Sequence, residues 1–572
     1  MMTTPAAQGF SPTDEQRRAL DDATAALVSR GYFSRYPESP SPKVYGQDAA
    51  TQGHERFEAL LGTDFPGLSG QPDDGTTVGG ERSPYGPELG VRYPHLDLDA
   101  ALSAAEDALP AWRDAGPLAR AAVCLEIVDA VHDRSFEIAH AVMHTSGQPF
   151  VMAFQAGGPH AQDRALEAVA AALAEQQRVP PSVVWEKPSA GASRGDPVRM
   201  RKDYRLVPRG VAVVIGCNTF PTWNAYPGLF ASLATGNPVV VKPHPHAVLP
   251  LALTVACARE VLGRAGFDPA LVQLAAEADG EGLAKTLAER PEVAIIDYTG
   301  GSSFGSWLER TGAARGALVY TEKAGVNTVV VDSTDDLVGL LRNLAFSFTL
   351  YSGQMCTAPQ NVYVPRDGVA TDEGRLSPAD FGARLAEAIT TLTADDARAV
   401  ELLGATVNDE VRLRASRLAD LATEGNGTVL LDSRQVRHPA YPDAVVRTPG
   451  LVSVDATSSV YERECFGPVA FLIATASTQA SLRRMRETIG AHGAMTASVY
   501  SSDEAILDAA REAAADAGVS LSENLTRGVY VNQTTAFSDY HGTGANPAAN
   551  ASYVDAAFVA GRFRVVTSRR HI

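Results

Sequence analysis

Apolar residues in the first third of the chain recur at the spacing of amphipathic helices. They repeat at i, i+3, i+4 and i+7, which predicts helices in residues 97–115, 117–147 and 163–177. A shorter helical pattern covers residues 14–30. Stretches rich in Pro, Gly, Ser and Asp follow it at 39–52 and 67–90, and they predict loops or linkers. Residues 1–90 therefore form an N-terminal extension ahead of a helical region.

From residue 210 the pattern changes to short β-branched runs that alternate with helical segments. Each run ends near a Gly or Pro turn, as expected of strands at 211–216, 238–243, 292–301 and 317–325. A second series predicts strands at 327–332, 359–365, 496–502 and 528–532. Alternating strands and helices imply right-handed crossovers, so the predicted fold class is α/β with a mostly parallel sheet.

Composition narrows the class of protein. The chain has 572 residues and a net charge of −18, and an acidic surface repels nucleic-acid phosphates, so no nucleic-acid partner is expected. Its five cysteines are scattered without a C-x-x-C pair, which argues against a disulfide framework or a zinc site and favours the cytoplasm. The polar N-terminus is not a signal peptide, and no apolar run is long enough to span a membrane.

The segment Gly300–Gly305 follows a predicted strand and precedes a predicted helix, and it has three interpretations. Gly301, Ser303 and Gly305 match the G-x-S-x-G pattern of a hydrolase nucleophile elbow. The same turn could hold a phosphate on backbone N–H groups at a helix N-terminus. It could also be an ordinary turn with a capping serine. The turn alone does not decide among them.

Three further residues stand where reactive groups are often found. Cys356 lies in a polar, glycine-containing loop between a helix and a strand, a setting that can stabilise a thiolate. Glu322 and Lys242 each end an apolar strand before a turn, where catalytic and binding groups project. Taken singly, a buried structural cysteine and solvated strand-end charges are the commoner interpretations.

In combination these segments resemble the aldehyde dehydrogenase superfamily over more than four-fifths of the chain. The family's motifs occur in order as Lys242-Pro243, the turn Gly300 to Gly305, Glu322-Lys-Ala-Gly325, Gly353-Gln-Met-Cys356 and Glu464-Cys-Phe-Gly-Pro468. Each motif is weak alone, but five in the right order are specific. The details in residues 217–245 and 537–552 further resemble the PaaN-type branch, which is linked to phenylacetate degradation.

The resemblance implies a fold and its domains. We expect an aldehyde dehydrogenase-like fold with a Rossmann-like cofactor domain, an α/β catalytic domain and a small β oligomerisation arm. The cofactor-binding domain would span 91–189 and 210–325, the arm 190–209 and 531–572, and the catalytic domain 326–530. Family habit implies a homodimer or a dimer of dimers.

The resemblance also implies roles for individual residues. Cys356 would be the nucleophile, and Glu322 the general base that hydrolyses the thioester. The cofactor would be bound by Lys242, His244, Gly300, Gly301, Ser302, Gly305, Glu464 and Phe466. The turn at Gly300–Gly305 then becomes a diphosphate site, and Ser303 loses most of its claim as a nucleophile. No metal is expected.

Two departures from the family pattern affect the site. The family's oxyanion-hole Asn aligns without a gap on Thr219, whereas Asn218 falls one place earlier, so either residue could contribute. NAD-preferring members carry a Glu three residues after the Lys, and Pro245 stands there in this chain. Without that carboxylate, Lys242 and His244 could pair with a 2′-phosphate. We therefore expect NADP to be used at least as readily as NAD.

The expected substrate follows from the branch. It is a small-molecule aldehyde, such as a ring-opened CoA-thioester semialdehyde of phenylacetate catabolism or a related pathway, oxidised to the free acid. The branch's bifunctional members carry a C-terminal hydratase domain that this sequence lacks, so a separate enoyl-CoA hydratase is the expected pathway partner. One alternative is a serine hydrolase using Ser303 with His438, His492 or His541. A non-catalytic scaffold subunit is the other.

Overall fold

The N-terminal extension is helical and packs on the body of the protein. A computed structural model describes residues 10–188 and 196–572, so the first nine residues of the predicted extension lie outside it. The elements of this region are α1 (Asp14–Ser29), α2 (Pro42–Tyr45), α3 (Ala49–Leu60), β1 (Asp73–Val78) and β2 (Tyr93–Leu96). The helix predicted at 14–30 is confirmed, and Thr13 caps it through Gln16. The loop prediction for 39–52 is wrong in part, because the segment contains α2 and the start of α3.

A layer of helices follows, as the periodicity predicts. It consists of α4 (Leu98–Asp114), α5 (Pro117–His132), α6 (Ser135–Ser146), α7 (Phe150–Gly157) and α8 (Pro159–Gln177). Helix α8 is the centre of the layer, because nearly all of its residues are buried between the extension, α5 and the first large sheet. Two strands continue the chain, β3 (Ser182–Lys187) and β4 (Val198–Pro208).

The first large sheet brings several strand ends to one edge. Its elements are β5 (Val211–Ile215), α9 (Pro221–Ala234), β6 (Val239–Lys242), α10 (Leu249–Arg264), β7 (Val272–Leu274), α11 (Leu283–Glu289), β8 (Val293–Thr299), α12 (Ser302–Arg315) and β9 (Leu318–Glu322). The strand order is β7-β6-β5-β8-β9, and every pairing is parallel. The strand order reverses at β5, which is where α/β sheets bind ligands.

The second large sheet has seven strands in the order β15-β18-β19-β12-β10-β20-β21, all parallel except for the β15–β18 pair. This half of the chain contains β10 (Thr328–Val331), β11 (Ser333–Thr334), α13 (Leu337–Thr349), β12 (Asn361–Pro365), β13 (Val369–Thr371), β14 (Gly374–Leu376), α14 (Pro378–Leu392), α15 (Asp396–Ala399), α16 (Asp409–Ala415), α17 (Leu418–Glu424), β15 (Thr428–Leu431), β16 (Gln435–Val436), β17 (Val446–Arg447), β18 (Gly450–Asp455), β19 (Val469–Thr475), α18 (Thr478–His492), β20 (Thr496–Tyr500), α19 (Glu504–Ala517) and β21 (Ser520–Glu523). The predicted α/β class with mostly parallel sheets is confirmed.

The strand predicted at 528–532 does not form. Gly528 has a φ of +60°, and the N–H of Val529 donates to the carbonyl of Arg527, so the backbone turns there instead of extending. Tyr530 stacks on Phe346 with ring centroids 3.8 Å apart. The apolar side chains that suggested a strand are therefore used for local packing, and β21 is the last strand of the sheet.

The chain ends with α20 (Ala556–Ala560) and β22 (Phe563–His571), and β22 completes a small antiparallel sheet. The strand order of this sheet is β22-β4-β3. It includes β3, which lies before the predicted start of the arm at residue 190. It leaves out residues 531–562, which pack on the two large sheets. Residues 190–195 of the predicted arm lie outside the described residues.

A buried ion pair ties the C-terminal segment to the first large sheet. The Arg562 guanidinium donates to both carboxylate oxygens of Asp297 on β8, at 2.6 and 2.8 Å. Both side chains are almost inaccessible to water. The pair fixes the position at which the chain leaves the body and enters β22.

We expect Arg562→Met to lower the free energy of unfolding by about 3–5 kcal/mol, because the Asp297 carboxylate would stay buried without its partner. Urea unfolding would measure the loss. The matched control is Arg463→Met, which breaks an exposed ion pair with Glu424 and should cost about 1 kcal/mol or less. Equal losses in the two variants would contradict an anchoring role for Arg562.

Candidate active site

Cys356 lies in a loop whose backbone is held in an uncommon conformation. The two residues Tyr351 and Ser352, just before it, have φ values of 53° and 54°, in the left-handed region. Such conformations cost free energy and persist where the surroundings enforce them. The Ser352 hydroxyl donates to the carbonyls of Gly404 and Arg447 at 3.1 and 3.0 Å. These hydrogen bonds fix the direction in which the chain approaches the cysteine.

Asn327 holds the same loop from the other side. Its amide nitrogen donates to the carbonyls of Cys356 and Ala358 at 2.7 and 2.8 Å, and its amide oxygen accepts from the N–H groups of Met495 and Thr496. One buried side chain thus joins the cysteine loop to the start of β20. The sequence analysis did not single out Asn327, because an Asn before a strand carries no distinctive signal.

Glu322 ends β9 and faces Cys356 in a buried cluster. One carboxylate oxygen accepts from the Asn224 amide at 2.8 Å, and the other lies 3.2 Å from Nε2 of His541. A carboxylate oxygen of Glu322, the sulfur of Cys356 and a ring nitrogen of His541 all lie within 4.8 Å of one another. Burial would raise the pKa of Glu322, but His541, Cys356 and Asn224 outweigh it and the pKa is lowered. Glu322 is therefore a carboxylate at neutral pH.

The pKa of Cys356 is shifted in the opposite direction to that of Glu322. Burial and the neighbouring Glu322 charge raise the pKa of its thiol well above the usual value. The resting group is therefore a thiol, and its attack on a carbonyl carbon requires a base to take the proton. Glu322 is the ionised group in contact with it. The structure thus brings together the two residues predicted to carry the chemistry.

The two oxyanion-hole candidates differ in how they are engaged. The Asn218 amide nitrogen donates to the carbonyl of Thr145 at 2.9 Å. The Thr219 hydroxyl makes a long contact, 4.0 Å, with the sulfur of Cys217. Of the two, the Thr219 hydroxyl is the more readily available donor, since redirecting Asn218 would first break a good hydrogen bond.

The predicted phosphate turn opens α12 at the carboxyl end of β8. Gly301, Ser302 and Ser303 are exposed, and a Cβ placed on Gly301 would meet no atom within 4 Å. Gly305 is packed so closely that a Cβ would lie 2.7 Å from the Lys323 side chain. Space above the helix N-terminus fits a diphosphate. In residues 10–188 and 196–572, no hydrogen bond joins Ser303 to a histidine, so the geometry of a serine hydrolase is not present there.

Lys242 is not free at the end of β6. Its ammonium group is buried against the carboxylate of Glu277, which follows β7, and burial lowers the pKa of Lys242. Burial also lowers the pKa of His244 to about 4, so that imidazole is neutral at pH 7. The NADP expectation assumed that no carboxylate stands near Lys242. Glu277 supplies one from a neighbouring strand end, 35 residues away in sequence.

Glu464 and Phe466 line a cleft beside the cysteine loop. Gly325, Gly353, Met355 and Gln360 also contribute to its wall. Burial raises the pKa of Glu464 to about 7, and its carboxyl accepts from the N–H of Gly325 at 3.3 Å. The narrow walls depend on glycine, because a Cβ on Gly353 would lie 2.6 Å from the carbonyl oxygen of Gly467.

Known proteins decide the family. The model of the aldehyde dehydrogenase family matches residues 92–544. The chain belongs to the aldehyde dehydrogenase family. It is therefore an oxidoreductase that acts on an aldehyde with a nicotinamide cofactor, and both the hydrolase and the scaffold alternatives are set aside.

Individual relatives agree with this assignment. N-succinylglutamate 5-semialdehyde dehydrogenase of Burkholderia ambifaria is 25% identical over 404 residues, covering 68% of this chain and 74% of the relative. The protein of the same name from Chromobacterium violaceum is 27% identical over 385 residues, covering 66% and 71%. These names do not support the phenylacetate branch. That finer assignment is not confirmed.

Solved structures bear out the aldehyde dehydrogenase fold. An NAD-dependent aldehyde dehydrogenase from Burkholderia multivorans is 54% identical, with a TM-score of 0.94 and coverage of 98% of this chain and 100% of that one. A 1-pyrroline-5-carboxylate dehydrogenase from Thermus thermophilus (the R100A mutant) shares the fold at 20% identity, with a TM-score of 0.73 and coverage of 95% and 99%. Among the described residues, no helix is long and apolar enough to cross a bilayer.

We expect Thr219→Val to lower kcat on the order of 100-fold, the usual cost of removing one oxyanion donor. Asn218→Ala should lower kcat less, because its amide already donates to Thr145. Steady-state kinetics with a saturating aldehyde would measure both. A larger loss in Asn218→Ala than in Thr219→Val would show that Asn218 is the donor.

Proposed function

We propose that the chain oxidises a semialdehyde to the free carboxylic acid, with Cys356 as nucleophile and Glu322 as general base. The observation that carries this is the buried contact between a thiol and an ionised carboxylate. The sulfur attacks the aldehyde carbon as its proton passes to Glu322. The backbone N–H of Cys356 and the Thr219 side chain would stabilise the oxyanion.

The residues of the cleft would position the cofactor for the second step. Glu464 and Phe466 would hold the nicotinamide ribose, and Gly300, Gly301, Ser302 and Gly305 would hold the diphosphate. A bound nicotinamide dinucleotide would supply the acceptor for the hydride lost by the aldehyde carbon. Once Glu322 has released the thiol proton to solvent, its carboxylate takes a proton from the water that hydrolyses the thioester left on Cys356. The presence of this base favours release of an acid over transfer to another thiol.

The substrate proposal rests on an apolar cluster that includes Tyr351 and Met355 of the cysteine loop. Met152, Phe220 and Tyr351 form an apolar cluster, to which Trp223 and Met355 add partly buried side chains. This supports an apolar stem next to the aldehyde carbon. The relatives named as semialdehyde dehydrogenases support a second functional group at the far end. A CoA-thioester semialdehyde of phenylacetate catabolism, with a separate hydratase, stays a specific proposal within this class.

The arm supports a proposal about assembly. Strand β22 is exposed along nearly its whole length, and Val565 and Val566 are 44% and 56% exposed. An uncovered sheet edge with apolar residues pairs readily with another chain. We propose a homodimer or a dimer of dimers formed through this sheet.

We expect Cys356→Ala to abolish turnover and Glu322→Gln to slow both half-reactions. The Gln variant lacks the base for thiol deprotonation and for hydrolysis, so pre-steady-state formation of reduced cofactor and the steady-state rate should each fall about 100-fold or more. Stopped-flow absorbance would record both phases with a panel of aldehydes, including CoA-linked ones. Full steady-state activity in Glu322→Gln would contradict the proposed role.

We propose that NAD is preferred over NADP, because the Glu277 carboxylate would repel a 2′-phosphate near Lys242. Glu277→Gln should raise kcat/KM with NADP relative to NAD on the order of tenfold, equivalent to about 1.4 kcal/mol. Glu289→Gln, which removes an exposed charge from the same domain, is the matched control. Wild-type protein that uses NADP as readily as NAD would restore the expectation drawn from the sequence.

A further inference from the structure

His541 is a buried titratable residue that the proposed function does not use. It lies between β21 and α20, and its side chain is 2% exposed. Its Nε2 lies 3.2 Å from a carboxylate oxygen of Glu322 and 3.8 Å from the Cys356 sulfur. The imidazole therefore contacts both the base and the nucleophile. The inference drawn from it rests on the proposed function.

The position of the imidazole is fixed by its own backbone and by aromatic neighbours. The N–H of His541 donates to the carbonyl of Tyr553 at 2.8 Å, and the Tyr553 N–H donates back at 2.9 Å. The Trp223 ring meets the imidazole edge-on, with centroids 4.5 Å apart, and the Tyr553 ring stacks on it at 6.0 Å. A ring held in this way cannot turn away from Glu322 without breaking several contacts.

The hydrogen-bond environment of the ring decides where its proton is best placed. Among the described residues, Nδ1 of His541 has no hydrogen-bond partner and is buried. A proton there would be an unsatisfied buried donor, which is costly. A proton on Nε2 faces the Glu322 carboxylate instead. The favoured neutral form therefore carries its proton on Nε2.

The other groups that face the cluster cannot take over this role. Burial raises the pKa of Cys217 to about 11 and that of Glu464 to about 7, and it raises the pKa of Tyr553 well above its usual range. Around neutral pH these groups are neutral or partly anionic, so none stabilises a carboxylate by charge. Arg164 lies across the Trp223 ring at 5.4 Å and is already paired with Glu167. The polar side chains against Glu322 are thus Asn224, which donates to Oε2, and His541, whose Nε2 lies 3.2 Å from Oε1.

We propose that His541 is a positioning residue for Glu322: it keeps the buried carboxylate ionised and oriented towards Cys356. The sulfur and the carboxylate carry out the chemistry, and the imidazole acts through the carboxylate. Asn224 orients the same carboxylate as a neutral donor.

Burial and His541 shift the pKa of Glu322 in opposite directions, and this sets the direction of the pH effect. Burial alone would protonate Glu322, and contact with His541 opposes this. Removal of the imidazole should therefore raise the pKa of Glu322 and reduce the fraction of carboxylate at neutral pH. A base is active in its ionised form, so the acidic limb of the kcat profile should move to higher pH.

The test compares His541→Ala and His541→Gln with the wild-type protein. In the Ala variant the acidic limb of steady-state kcat should move to higher pH by about one unit or more. The Gln variant, which can place an amide N–H near Nε2, should restore part of the shift. His492→Ala, which removes an exposed histidine at the end of α18, should leave the profile unchanged. An unchanged acidic limb in His541→Ala would overturn the proposal.

A second measurement separates this inference from the function on which it rests. Infrared difference titration of the free protein would follow the protonated carboxyl band of Glu322, assigned by its loss in Glu322→Gln. The band should appear at higher pH in His541→Ala and at an intermediate pH in His541→Gln. Identical titrations in all three proteins would refute the role of His541. A wild-type protein that oxidised no aldehyde while its Glu322 titration shifted as expected would refute the function alone.

Discussion

The proposed active site depends on keeping one carboxylate charged in a place that water scarcely reaches. Glu322 is 2% exposed, and an isolated carboxylate in such a position would be neutral. It stays ionised because partners reach it from two directions: Asn224 on α9 and His541 in the C-terminal segment. The sulfur of Cys356 completes the cluster from the second large sheet. Each segment is positioned by a different part of the fold, so the site forms only when the parts are assembled.

The C-terminal segment shows how that assembly is enforced. Arg164 donates to the carbonyl of Asp539 at 2.9 Å, and the N–H of Phe537 donates to Glu167 at 3.0 Å, so the segment before His541 is pinned to α8. Beyond His541, the Lys323 N–H donates to the carbonyl of Ala548, next to the catalytic strand end. Further along the segment, the Arg562–Asp297 ion pair attaches the chain to β8. Buried polar contacts of this kind are costly unless every partner is in place, which makes the arrangement specific.

At the carboxyl ends of the strands in the first large sheet, where we propose that the cofactor binds, little free positive charge is available from side chains. The protein carries a net charge of −18, yet a dinucleotide brings negative phosphates. The cation closest to the expected adenosine end, Lys242, is neutralised by Glu277, so its charge is not available in full. The open N-terminus of α12 remains as a source of positive potential, supplied by backbone N–H groups and the helix dipole. Binding through the backbone tolerates an acidic surface, whereas an additional phosphate would need a free cation.

The sequence by itself determined the local elements and the identity of the reacting groups. Helical periodicity located α4 to α6 and α8, and β-branched runs located β5, β6, β8, β9, β10, β12 and β20 but missed the other strands of the two large sheets. Five ordered motifs singled out Cys356, Glu322 and Glu464. Such signals are local, because they depend on side-chain spacing and on turn chemistry within a few residues. The same local reasoning failed at residues 528–532, where a positive φ at Gly528 and packing on Phe346 replaced a strand.

Only the tertiary structure decided which distant residues meet the reacting groups. The sequence assigned none of these contacts to Asn224, Asn327, Glu277 or His541. Each of the four is buried beside a partner that lies between 29 and 219 residues away. The charge state of a buried group is set by everything packed around it, and that environment exists only after the chain has folded.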